Sequence, residues 1–134
     1  MAALTITAAD VRYVSGTAQT VTVGEAVTQG QPLRLHTDNK YYLCNHTTTT
    51  DYAATLVAVT PGGTDEKVLA CGAGSVVDIG ATVTAGTAYY VGPSDGNINP
   101  HSDLGSGDYV CVIGHAITTT NIQLTFDQLG IAIA

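Results

Sequence analysis

The chain of 134 residues carries 11 acidic side chains against 4 basic ones, a formal net charge of -7, and the four cations, Arg12, Arg34, Lys40 and Lys67, are scattered. A phosphate backbone is held by clustered cations that displace counterions, so nucleic acid is excluded as an expected partner, and an anionic membrane surface with it. Only 11% of residues are charged and 45% are apolar; that is the balance of a packed chain, and this length suits one domain that buries roughly two-thirds of its unfolded surface.

The candidate elements, in chain order, are strands at 4–7, 11–14, 20–23, 33–36, 41–44, 54–60, 66–70, 76–79, 88–91, 109–117 and 121–126. Each is rich in β-branched or aromatic residues, which suit a pleated surface. Turn residues separate them, among them Ser15-Gly16, Gln29-Gly30, Asp38-Asn39, Pro61-Gly62-Gly63, Gly72-Ala73-Gly74 and Gly105-Ser106-Gly107-Asp108. Short, evenly spaced strands with such punctuation predict an all-β fold, a single small antiparallel β-barrel or β-sandwich. Residues 1–15 are read as an N-terminal arm or edge strand and 16–134 as the β domain. Residues 92–108 form the longest polar stretch and are read as a loop.

An internal repeat organises the domain. Val21-Thr-Val-Gly24-Glu-Ala-Val27-Thr28-Gln-Gly30-Gln-Pro-Leu33-Arg-Leu35 lies over Val77-Asp-Ile-Gly80-Ala-Thr-Val83-Thr84-Ala-Gly86-Thr-Ala-Tyr89-Tyr-Val91 at a constant offset of 56 residues. Asp51-Tyr52 and Leu56-Val-Ala-Val59-Thr60 are answered by Asp108-Tyr109 and Ile113-Gly-His-Ala-Ile117-Thr118. The copies span about 21–60 and 77–118, and predict two pseudo-repeated halves around a shared core, because half of such a unit cannot bury its apolar face alone.

Chemistry is sparse. No run approaches the ~20 apolar residues that span a bilayer, and the opening Met1-Ala-Ala-Leu-Thr-Ile-Thr has no basic, then apolar, leader pattern. Cys44, Cys71 and Cys111 are odd in number, widely spaced and set in apolar runs, so they read as buried reduced thiols. A Cys/His set (Cys44, His46, Cys71, Cys111, His115) would place residues 111 and 115 on one face of a strand, but its spacing matches no usual zinc ladder. Gly92-Pro-Ser94-Asp-Gly96 has the form of a nucleophile elbow without the helix an elbow must open. Asp95, Asn97 and Asn99 resemble part of a calcium loop that lacks its closing Glu. Asp65 and Glu66 point apart on a strand and read as turn residues. No catalytic residue, metal or cofactor is expected. Tyr41-Tyr42 and Tyr89-Tyr90 each place one ring inward and one outward.

The stretch Val83-Thr-Ala-Gly86-Thr-Ala-Tyr-Tyr-Val91, then Asp95-Gly-Asn-Ile-Asn-Pro, then Gly107-Asp-Tyr-Val-Cys-Val-Ile-Gly114-His-Ala-Ile and Asn121-Ile-Gln-Leu-Thr-Phe resembles the small all-β modules of tailed-bacteriophage virion proteins. Capsid decoration (cement) proteins are of this kind, and head-fibre and tail-fibre proteins carry similar modules. The resemblance covers residues 75–126, and 20–60 through the repeat. It implies a structural protein and not an enzyme: made in the host cytoplasm, sited on the capsid exterior, a homotrimer, with the major capsid protein as partner. The alternative it leaves is a head-fibre or tail-tip module that binds a host-surface glycan through residues 92–108 and outward tyrosines. Apolar character and position single out Leu4, Ile6, Tyr42, Tyr90, Ile131 and Ile133 as candidate capsid or subunit contacts, with Ala2–Thr7 as an arm that adds a strand to the capsid or to a neighbouring protomer.

Overall fold

Alternating apolar residues between glycine-rich turns produce strands throughout the chain, and a computed structural model describes them over residues 3–100 and 104–132. They are β1 (Val11–Ser15), β2 (Ala18–Thr22), β3 (Pro32–Leu35), β4 (Tyr41–Leu43), β5 (Leu56–Ala58), β6 (Lys67–Cys71), β7 (Val76–Ile79), β8 (Ala88–Val91), β9 (Ile98–Pro100), β10 (Tyr109–Ala116) and β11 (Asn121–Ala132). One six-stranded sheet has the order β1-β7-β11-β10-β8-β9 and one five-stranded sheet the order β2-β6-β5-β3-β4, and every strand pair in them is antiparallel. The fold is all-β and sandwich-like; neither sheet closes into a barrel.

The repeat is legible in this order. Sheet β2-β6-β5-β3-β4 and the run β7-β11-β10-β8-β9 are the same five-strand plan, with β1 added at the edge of the second. The bends agree bond for bond. Val27 N–H donates to Gly62 O and Val83 N–H to Thr119 O, both at 2.8 Å; Gly30 N–H donates to Ala58 O and Gly86 N–H to Ala116 O, again both at 2.8 Å. Gly30 and Gly86 have φ of 87° and 85°, a left-handed conformation that side chains with a Cβ resist.

Burial follows the period of two. In β5, Val57 faces the six-stranded sheet, while Leu56 and Ala58 face the other way with Leu33, Val68 and Ala70. The larger core joins Val57, Cys71, Ala54 and Cys44 to Val77, Ile79, Tyr89, Val91, Ile98, Ile113, Ile122 and Leu124. The smaller one covers the other face of the five-stranded sheet with Val23, Val27, Leu33, Leu56, Ala58, Val68 and Ala70. Full burial of such a side chain contributes about 1.5–3 kcal/mol. Between the named strands the chain crosses from sheet to sheet twice, at 15–18 and 71–76, and the crossings meet at Ser75. Its buried Oγ accepts from Thr17 N–H and donates to Thr17 O, both at 3.0 Å.

Two expectations are corrected. Residues 4–7 form no strand. They lie as a strap over the six-stranded sheet, with Leu4 N–H on Ile98 O (2.9 Å) and Thr7 N–H on Gly80 O (2.8 Å), and lead through a 3-10 turn (Ala8–Asp10) into β1. Residues 92–108 are not simply a loop: β9 lies inside them and pairs with β8, burying Ile98 and Asn99. Strand 54–60 is shortened to β5, and 121–126 is extended into β11.

Candidate functional site

The residues of the metal reading form no group among the described residues, and Ser94 lies on a hairpin turn. Gly92–Gly96 is the turn of the β8–β9 hairpin, closed by Gly92 N–H on Asn97 O (2.9 Å) and tied to the other sheet by Gly96 N–H on Cys44 O (3.0 Å); Ser94 is exposed on it. Asp95 Oδ1 is occupied by Asn45 Nδ2 at 2.7 Å. Cys44, Cys71 and Cys111 are free and buried. Burial pushes all three thiols up, Cys111 to about 12, which keeps them protonated and unreactive at neutral pH. Cys111 and His115 do not share a face: the β10 ladder shifts register between Val112 and Gly114, so Cys111 is buried and His115 exposed. Gly114 sits at that bulge because the partner strand passes against it, and a Cβ there would run into Gln123 O. No group of three or more His, Cys, Asp or Glu side chains suited to a metal exists among the described residues.

The expected contact residues are dispersed. Leu4 and Ile6 are half-buried and packed on the chain's own larger core. Tyr90 lies half-buried on β8 between β10 and β9. Its neighbour Tyr89 is inward, its hydroxyl accepting from Thr84 N–H at 3.0 Å. Tyr42, on β4, stands between His36, at 5.2 Å between ring centroids, and the Arg34 guanidinium, 5.4 Å from its centroid; its hydroxyl donates to Asp38. That hydrogen bond pushes the Tyr42 phenol up and holds the Asp38 carboxyl below its ordinary value. Arg34 is itself fixed, with Asp51 at 3.3 Å and Leu43 O at 3.1 Å. Ile131 belongs to β11 but its side chain lies outside the described residues, as does Ile133 altogether.

Two features escaped the sequence. His46, 4% exposed, places Nδ1 3.2 Å from Asp108 Oδ1, off the line of a good hydrogen bond, and joins the start of the 46–50 loop to the entry of β10. The backbone repeats the link, with Tyr109 N–H on His46 O and His46 N–H on Gly92 O. Exposed apolar side chains are also present on edges and turns: Tyr13 (44%) and Val14 (47%) on β1, Leu35 (54%) on β3 and Ile117 (48%) after β10. Among the described residues, β1 pairs only with β7 and its outer edge is open. It carries no proline or lysine to discourage a further strand. No protein-family model matches the chain, and no curated protein matches it in sequence.

Proposed function

We propose that this chain is a structural virion protein that binds the outside of a phage capsid and stabilises the shell by bridging neighbouring capsid subunits, without catalysis or cofactor. The observation that supports the reading is that the phrases of the phage-like stretch, residues 75–126, fall on successive elements of one sheet. Val83 to Gly86 is the bend, Ala88 to Val91 is β8, Asp95 to Pro100 is the turn with β9, and the Val-x-Val-Ile-Gly phrase lies in β10 with its bulge. A plan used twice in one chain, with low charge, suits a plug that acts through placement and buried area, and binding several capsid neighbours at once raises effective concentration. With Leu4 and Ile6 packed inward, Tyr13, Val14, Leu35 and Ile117 are the exposed large apolar side chains among the described residues. On this reading the protein is a homotrimer on the capsid exterior.

Sedimentation with undecorated heads tests it. The protein is expected to pellet with heads in fixed ratio to the major capsid protein, and the double change Tyr13→Asp and Val14→Asp is expected to weaken binding at least tenfold while leaving the β-sheet circular dichroism unchanged. A protein that ignores heads overturns the reading and moves the assignment to a host-surface glycan.

A further inference from the structure

The two units differ at the place where their outer strands come nearest. In the first, one isolated bridge joins the ends of the open sheet: Val23, just past β2, bridges Tyr41 of β4, and Gly24 N–H donates to Tyr41 O at 2.9 Å. The positions equivalent to Gly24 and Tyr41 by the repeat are Gly80 and Ile98, and among the described residues no bridge joins them. Ile98 O takes Leu4 N–H and Gly80 O takes Thr7 N–H, so the strap fills a slot that its counterpart lacks.

The hold on the strap is light. Those two backbone bonds anchor residues 4–7, no side-chain hydrogen bond of residues 3–9 is present among the described residues, and open grooves of about 400 and 210 Å³ run along it, lined by Thr5 and Thr7 and by Leu4, Ile6 and Ala8 respectively. Its hinge is equally slight. Thr7 and Val11 are both extended, and only the turn Ala8–Asp10, closed by Asp10 N–H on Thr7 O, folds the strap back.

We propose that the slot between Gly80 and Ile98 is an acceptor site that takes residues 4–7 of a second copy, as the same extended strap, in place of the chain's own. The ligand is identical to the segment already seated, so every contact made in cis is remade in trans, and opening one short turn is the only conformational change required; this is the low-cost route to strand-exchanged oligomers. One strap and one slot per chain give reciprocal pairs or closed rings. The inference concerns contacts between copies and stands apart from the capsid reading.

Light scattering on the full chain tests it without any capsid. The expected mass is a whole multiple of 13.7 kDa that falls toward that value in excess synthetic peptide of residues 2–10. The same peptide with Leu4→Asp and Ile6→Asp is expected to have no effect. A single-chain mass at every concentration, or an oligomer indifferent to the peptide, overturns the proposal. The full-length Leu4→Asp, Ile6→Asp protein gives a second readout: it is expected to be a single chain and to bind the fluorescein-labelled wild-type peptide saturably. Failure of the folded variant to bind overturns the proposal, and if the variant does not fold the wild-type measurement decides.

Discussion

Gly30 and Gly86 hold the same place in the two repeats and the same left-handed backbone, yet differ in what surrounds them. A Cβ on Gly86 meets open space, whereas one on Gly30 would lie 2.9 Å from Ile6 Cγ2 and 3.2 Å from Val11 Cγ2. Gly86→Ala is therefore expected to cost the conformational strain alone, about 1–2 kcal/mol, and Gly30→Ala a further ~1–3 kcal/mol of overpacking, as read from urea midpoints. The thiols make a second prediction at this scale. Burial raises each thiol's folded pKa above the 9.0 of an exposed cysteine. Below pH 9 both folded and unfolded chains keep the protons, and that stability is fully present. From pH 9 to about 12 the unfolded Cys111 ionises while the folded one does not, so stability falls with rising pH by about 1.4 kcal/mol per unit for this thiol. Cys111→Val is expected to make the alkaline decline of the urea midpoint shallower.

At the scale of elements, ten of the eleven strands were legible because their runs are rich in β-branched or aromatic residues and turn residues separate them. β9 was not, since Asn97-Ile-Asn-Pro100 has the composition of a turn; yet β4 lies 57 residues earlier in the same plan, and extending the repeat through it would have located β9. Residues 4–7 misled in the opposite sense: Leu4 and Ile6 alternate with Thr5 and Thr7 as in a strand, but the place beside β9 and Gly80 admits only two backbone bonds. The pairing of 111 with 115 failed because a bulge is a tertiary event, set by the strand passing Gly114. Of the candidate site, the residue types were legible and their surroundings were not: nothing in the sequence places His46 against Asp108, 62 residues apart. Asp108 both faces His46 and accepts Gly105 N–H at 2.7 Å. Asp108→Ala is expected to cost about 1–3 kcal/mol and to speed hydrogen exchange at the Tyr109 amide.

For the molecule as a whole, the larger core draws on both sheets, so neither retains its burial if the other leaves. Ile113→Ala, in the six-stranded sheet, is expected to cost about 2–5 kcal/mol and to lower the midpoint of both sheets equally in a single transition. A transition that splits between hydrogen-exchange probes in β5 and β10 would contradict this. The order of strands has a mechanical side too. β1 lies beside β7, and the entire five-stranded sheet is strung between them in the chain. Tension applied through β1 and β11 is thus borne by the six-stranded sheet, and the other sheet is shielded from load until β1 is sheared from β7. In an optical trap the first rip is the loss of the β1–β7 ladder, and only then does force reach residues 18–71.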